Sequence, residues 1–450
     1  MDGVQSSAKV DIAYASIALG SPILWSIVDS WLLYFYLPPA GKGVVLVPAA
    51  LFGMAVFATR ALNAIATPPI GYLSDHTRSR WGRRLPFMFV SALPLLIFFV
   101  LLWTPPVRGQ SIWNLAYLVV ILALYNVAYS FLLIPYGSLM PEVALTDQRR
   151  VRIGTWCASF QILGVILAGF AGLIIESKGF LVTALFYACI ILPLFYLPFL
   201  VRRERPERQI SETERLGFRQ SIAVTLRNPA FLVLTAAGSC FWIATTFILI
   251  VVPYIVTEIC LLSTGDAVYF YVPALFASLA CYPLVMWLAN RLGKRNVFAG
   301  SLLASAIVLP GLMLVGDWLP VPLAFQGVAW MTIGAMTMSG IIVLTQALAA
   351  EITDYDAART SQRREGAYYS AWGLLDQVVN GAAILVLPLL LLLGRSHSDP
   401  LGPLGVRMTG LVAGLLLFVA YLIFLRYPIR NLSSSDASPP VAMQDSATAG

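Results

Sequence analysis

Long uninterrupted apolar runs, not alternation, set the pattern of this chain. They cover residues 11–37, 44–70, 86–104, 112–137, 154–176 and 180–201, and a second set covers 230–256, 267–290, 297–315, 322–350, 365–394 and 403–426. Each is close to or longer than the ~20 residues with which a helix crosses the hydrocarbon of a bilayer. No water is present there to pair with the backbone, so a spanning segment must satisfy its own N–H and C=O groups, as a helix does. The pattern predicts an all-α membrane protein of twelve transmembrane helices. A membrane β-barrel is excluded, because its strands alternate apolar and polar positions.

Composition agrees and removes further classes. Of 450 residues, 59% are hydrophobic and 11% charged, against ~45–50% and ~25% in soluble domains. A water-soluble enzyme, a disordered chain and a collagen are all excluded. The net charge of +7 raises the question of nucleic acid, which the position of the charges answers. Lys42, Arg108, Lys178, Arg395 and Arg407 fall between spans on one side and Arg60 lies within a span. All other Lys and Arg fall on the side of the two termini. This is the positive-inside asymmetry, with both termini cytoplasmic, and no nucleic-acid partner is needed to explain it. Residues 1–9 lack a basic segment and a small-residue cleavage site, so the first run reads as a retained span and not a signal peptide. The cysteines (Cys157, Cys189, Cys240, Cys260, Cys281) and histidines (His76, His397) show no metal or disulfide spacing. No phosphate-binding glycine loop is present, so neither a metal nor a cofactor is expected and an ATP-driven pump is disfavoured.

The longest polar connection divides the chain. Residues 1–201 form a first six-helix half, 202–229 a charged linker with a surface helix predicted across 211–226, and 230–430 a second six-helix half. Residues 431–450, rich in Ser, Ala, Pro and Asp, are predicted to be disordered. An internal repeat supports the division. Arg80-Trp-Gly-Arg-Arg84 after span two resembles Arg291-Leu-Gly-Lys-Arg295 after span eight. Glu142, Asp147 and Arg150 after span four recur as Glu351, Asp356 and Arg359 after span ten. A parallel six-plus-six repeat is the layout of major facilitator transporters, whose substrate sites lie near mid-membrane between the halves.

The stretch from Arg60 through Thr67-Pro-Pro, Asp75, Arg78, Arg80, Arg83 and Arg84 resembles the signature of the glycoside–pentoside–hexuronide:cation symporters, the family of the melibiose permease. Ile134-Pro-Tyr-Gly-Ser-Leu-Met-Pro-Glu142, Gly293-Lys-Arg295 and the run from Asp354 to Gly366 match it in order. The resemblance implies a secondary transporter in the cell (inner) membrane, importing a sugar or glycoside with a cation by alternating access. Its departures fall on the coupling site. The two family aspartates one turn apart on span two correspond to Asn63 and Thr67. A lysine on span eleven is replaced by Gln377, the sugar-binding aspartate of span four by Leu133, and the arginine of span five falls near Trp156 or Ala158. Sodium coupling by that route is disfavoured. Another cation site, proton coupling or uncoupled carriage remains open, as does another small organic solute.

Candidate residues follow from charge and helical spacing. Asp29, Arg60 and Asp376 lie deepest in spans, where a charge costs ~2.5–3.5 kcal/mol even on the insertion scale. Such groups face a cavity or pair with one another. Depth sets Asp29 towards the outer side and Arg60 towards the inner, which leaves a direct pair undecided. Tyr369, Trp372, Asp376 and Asn380 share one face of span eleven. Trp25, Asp29 and Tyr36 form a similar stripe on span one, and span four offers Tyr125, Asn126 and Tyr129. Rings that cover the C–H faces of a sugar beside groups that bond its hydroxyls make a sugar site. Packing or interfacial anchoring is the alternative for each ring. Trp156 and Gln377 join the substrate set through the family positions. Asn63 and Thr67 keep i, i+4 geometry with neutral oxygens, and ordinary interhelical bonding is the simpler reading. Asp75, Arg78, Arg80, Arg83, Arg84, Glu142, Asp147, Arg150, Glu351, Asp356 and Arg359 are expected to form a cytoplasmic gate of charge-assisted bonds; setting topology alone is the alternative. A monomer is expected, with the bilayer and one small solute as partners. A membrane-embedded enzyme or receptor would require a catalytic or metal constellation, which the chain does not supply.

Overall fold

The computed structural model describes the backbone of residues 2–39, 41–77, 79, 82–144, 146–201, 228–316, 318–360, 365–393 and 403–428. It describes the side chains of these except at 2–8, 75, 76, 141, 142, 147, 200, 201, 353–360, 365–374, 376–378 and 403. The predicted linker helix at 211–226 and the tail at 431–450 lie outside the described residues.

The apolar runs all fold as helices. α1 (Asp2–Ala15) and α2 (Ile17–Tyr36) form the first span, followed by α3 (Ala49–His76), α4 (Leu85–Leu101), α5 (Ile112–Val143), α6 (Asp147–Gly169) and α7 (Ala171–Val201). The second half holds α8 (Pro229–Tyr254), α9 (Val268–Leu292), α10 (Lys294–Val308), α11 (Leu323–Thr360), α12 (Glu365–Leu391) and α13 (Pro403–Phe424). Ten described helical stretches are long and apolar enough to cross a membrane, and Leu85–Leu101 and Val379–Leu391 supply two shorter apolar helices. Spans five and six turn not at the end of α6 but inside α7, at Gly179, whose φ of 80° breaks the helix. Tyr187 Oη bonds the Leu167 carbonyl across that turn at 2.6 Å.

Polar side chains at helix starts close otherwise orphaned donors. Ser111 Oγ accepts from Trp113 N, Thr146 Oγ1 from Arg149 N, and Asn228 Oδ1 from Ala230 and Phe231 N, with Pro229 occupying the first helical position. Large apolar side chains such as Ile65 and Val151 stand 72% and 71% exposed on the helix surfaces, as expected where lipid is the solvent. The chain is a multi-pass membrane protein.

The two halves repeat in structure as well as in sequence. Gly82 in the first basic loop and Gly293 in the second both adopt positive φ, 109° and 85°, conformations that a Cβ would strain. The arginines that follow go to different spans: Arg84 donates to the Ser138 carbonyl of span four, and Arg295 to the Leu425 carbonyl at the end of span twelve, at 2.9 Å. At the opposite face, Asn114 Nδ2 donates to the carbonyls of Val107 and Gly109 while its Oδ1 accepts from Val107 N. Gln326 reproduces this in the second half, donating to the Gly316 and Val321 carbonyls and accepting from Gly316 N. Each amide staples the loop before its own helix.

The halves meet where α3 packs on α12, α2 on α8 and α6 on α9. Gly53 permits the first of these contacts: a Cβ there would stand 2.7 Å from the Leu385 carbonyl oxygen. At the face away from the termini, Tyr254 Oη donates to the Leu37 carbonyl at 2.9 Å, and the Tyr34 and Tyr254 rings meet edge-on at 5.1 Å. Glu176 Oε2 accepts from Ser263 Oγ and Gly265 N, both at 2.8 Å. These bonds hold the two halves together on that face.

Candidate functional site

Spans one, two and four enclose a cavity of about 310 Å³, at the small end of the ~300–1,000 Å³ typical of ligand sites. Trp25 and Asp29 enter from α2, Arg60, Asn63 and Thr67 from α3, and Tyr125, Asn126 and Tyr129 from α5. The second half contributes Ile250 and Ile384 to the wall. Asp29 and Arg60 pair after all: Arg60 Nη2 donates to Asp29 Oδ1 at 2.9 Å, and each side chain is about a quarter open, 29% for Arg60 and 26% for Asp29. A long guanidinium stem spans the difference in depth that the sequence suggested.

The aromatic wall is ordered by packing. The Tyr125 and Tyr129 rings stack with centroids 6.1 Å apart. Tyr125 is 4% exposed, and its hydroxyl is buried without a hydrogen-bond partner. A buried hydroxyl left unpaired costs about 1–3 kcal/mol; the Tyr125 side chain lines the cavity, while its hydroxyl has no surface open to it. Asn63 and Thr67 follow the simpler reading. Asn63 Oδ1 accepts from Ser130 Oγ at 2.9 Å, and Thr67 Oγ1 donates to the Asn63 carbonyl at 2.8 Å. Asn63 ties span two to span four, and Thr67 is spent within its own helix.

Some expected members stand elsewhere. Trp156 is 38% exposed against Phe160 and does not line this cavity. Tyr36, the last member of the span-one stripe, is buried and donates to the Leu102 carbonyl, which makes it a packing residue. The side chains of Tyr369, Trp372, Asp376 and Gln377 lie outside the described residues. Asn380 of that stripe is buried and accepts from Thr246 Oγ1 at 3.0 Å, tying α12 to α8.

The expected gate is described in part. The side chains of Asp75, Arg78, Arg80, Glu142, Asp147, Asp356 and Arg359 lie outside the described residues. Arg84 bonds backbone in its own half, Glu351 pairs with Lys294, and Arg150 is exposed. The strongest cluster at this face was not anticipated. Asp11 is fully buried and receives both Arg149, at 2.8 Å, and Arg152. Each of these ion pairs lies within one half, whereas the bonds of Tyr254 and Glu176 at the opposite face cross between halves. Asp11 begins the first apolar run, and a carboxylate at a span end was the available signal.

Solved transporters share this architecture. The nucleoside transporter NupG aligns with a TM-score of 0.65 at 13% identity, covering 92% of this chain and 98% of that one. A bacterial homolog of the human lysosomal transporter Spinster, inward-facing and unoccupied, aligns at 0.67 and 12% identity, covering 94% and 96%. At these identities the likeness speaks for the fold. Among sequences, an uncharacterized symporter of Synechocystis sp. is 36% identical over 162 residues, 35% of this chain and 29% of that relative. The isoprimeverose transporter of Lactiplantibacillus pentosus is 26% identical over 360 residues, 76% of this chain and 71% of it. The glucuronide carrier protein homolog of Escherichia coli is 26% identical over 449 residues, 95% and 94% of the two chains. The family described as MFS/sugar transport protein matches residues 13–431. A twelve-helix bundle, a polar chamber within it and this match lead to one conclusion: the chain belongs to the MFS/sugar transport protein family, a family of secondary transporters and not of enzymes.

Proposed function

We propose that the protein imports an uncharged sugar or glycoside across the cell (inner) membrane by alternating access, with both termini cytoplasmic, and that it works as a monomer. The observation that carries the reading is the paired Asp29 and Arg60 in a chamber walled by Trp25, Tyr125 and Tyr129. Trp25, Tyr125 and Tyr129 offer apolar faces to sugar C–H groups. Asp29 accepts from hydroxyls while Arg60 and Asn126 donate, as sugar recognition requires. Because Asp29 offsets Arg60, the described walls leave no unmatched cation for a carboxylate substrate, and neutral glycosides are favoured over uronides. Tyr369, Trp372, Asp376 and Gln377 would complete the chamber from span eleven. Trp156 is left out of the site.

With the termini cytoplasmic, the bonds that join the halves at the opposite face support an inward-facing state. The loop charges Asp75, Arg78, Arg80, Arg83, Arg84, Glu142, Asp147, Arg150, Glu351, Asp356 and Arg359 would rearrange as the halves rock. Asn63 and Thr67 hold no charge and bond their neighbours, so sodium coupling through them is not expected. A proton exchanged at Asp29 or Asp376, or carriage down the solute gradient, takes its place.

The test is uptake of labelled glucose, xylose, galactose, their methyl glycosides and a methyl glucuronide into liposomes holding the purified protein. Uptake of a neutral member faster than by empty liposomes is expected. An inert result across the panel would sink the reading, and preference for the glucuronide would sink its charge assignment.

A further inference from the structure

A second cavity lies on the other side of span one and differs in kind. Its volume is about 210 Å³, and it sits between the halves, walled by α2 and α6 from the first and by α8, α9 and α11 from the second. Trp31, Phe241, Leu275, Trp330, Met331 and Met338 supply most of its character, and no charged side chain lines it. Several of its polar groups are already committed. Thr245 Oγ1 donates to the Phe241 carbonyl at 2.9 Å, Tyr271 Oη to the Leu249 carbonyl at 3.1 Å, and Trp330 Nε1 to the Val308 and Leu309 carbonyls at 3.2 Å. These side chains turn rings and methyl groups to the cavity and keep their bonds for the backbone. A sugar ring would lose its hydration here without replacement, a cost of several kcal/mol in water-to-apolar transfer.

Trp25 lines both cavities. It is the shared wall between a chamber able to pair hydroxyls and a chamber able to bury hydrocarbon. An apolar cavity of ~150 Å³ is enough to take up benzene, so this one has room for a phenyl ring or a short alkyl chain.

We infer that the apolar cavity is an aglycone site, and that the preferred substrates are neutral glycosides carrying an aryl or alkyl group that passes Trp25 into it. The inference rests on the sugar-transport reading and names the substrate class within it. The sugar lies in the Asp29 chamber, and the group on its anomeric oxygen lies against Trp31, Trp330, Met331 and Met338. Because the cavity is built from both halves, its occupant touches both, whereas the sugar chamber is built almost wholly from one.

The test uses the full-length protein in detergent and in liposomes. For the parent sugar taken up best, the methyl, butyl and phenyl glycosides compete against the labelled methyl glycoside. Each buried methylene contributes about fourfold in affinity at full transfer, so the butyl and phenyl forms are expected to bind at least about tenfold more tightly than the methyl form. Filling the cavity with Ala335→Phe from α11 or Ser278→Leu from α9 should remove that gain and leave methyl glycoside uptake within about twofold. Thermal unfolding reports whether either variant is folded, and the wild-type series decides the matter without them. Equal affinities across the series overturn this inference alone, as does a loss in the filled variants that is the same for methyl and phenyl forms. Failure of every sugar and glycoside to bind or move overturns it together with the transport reading.

Discussion

Arg60 Nη2 donates to Asp29 Oδ1 at 2.9 Å, joining span two to span one inside the polar chamber. Two charges that would each be costly at mid-membrane offset one another and remain partly open to a solute. Asp29→Asn is expected to lower uptake at least about tenfold, the effect of removing a charged hydrogen-bond partner. Neutralising both, with Asp29→Asn and Arg60→Gln, should melt higher than Asp29→Asn alone, because it strands no charge, yet stay inactive. Uptake by the double variant at the wild-type rate would remove Asp29 and Arg60 from the site.

Tyr125→Phe separates binding from stability. The hydroxyl is buried without a hydrogen-bond partner, so its removal should leave the melting temperature unchanged or raise it. A sugar that shifts the ring to reach the hydroxyl should then bind about tenfold more weakly. Isothermal titration or a ligand-induced thermal shift measures this; a destabilised variant with unaltered affinity contradicts the assignment.

Glu176 bonds Ser263 and Gly265 across the halves. Glu176→Ala should loosen the closure on that face and populate the state open there. In a background without the five native cysteines, Ala267→Cys lies fully buried beside the closure. Its labelling by an impermeant maleimide should speed up about tenfold or more, the range of hydrogen bonds to a charged group. Unchanged labelling would leave Glu176 without a role in closure.

Asn63 and Thr67 carry no charge and are bonded to Ser130 and to their own helix. Replacing sodium by potassium at fixed pH should change uptake less than about twofold, the ratio expected where no cation-site energy is lost. Asn63→Asp with Thr67→Asp restores two carboxylates one turn apart, and this variant should become sodium-stimulated. Strong sodium dependence in the wild type would contradict the reading of both positions.

Asp11 is fully buried beneath Arg149 and Arg152. Asp11→Asn removes the buried carboxylate between Arg149 and Arg152 and should lower stability by about 1.5–3 kcal/mol, the range for a lost hydrogen bond to a charged group. Thermal unfolding in detergent checks it. A loss below about 1 kcal/mol would mean that the arginines find solvent or lipid phosphate instead.

What the linear chain determined is what depends on local chemistry and on periodicity. Apolar runs long enough to cross a bilayer can only be helices there, so the spans were legible without knowing their neighbours. The paired motifs Arg80–Arg84 and Arg291–Arg295 marked the duplication, which the positive φ of Gly82 and Gly293 repeats in the backbone. Asn114 and Gln326 perform the same loop-stapling task from two different residue types, so sequence similarity could not reveal them. Packing decided which members of a stripe face a cavity. Trp25 and Asp29 do, whereas Tyr36 on the same stripe is turned to bond the end of span three. Trp156, near a family position, lines neither cavity, and α6 packs on α2. Asp11, Glu176 and the apolar cavity beyond Trp25 arise from contacts between residues far apart in sequence. Nothing local distinguishes a carboxylate that holds two arginines, or one that holds two halves, from one left in solvent. Only the assembled bundle sets that difference.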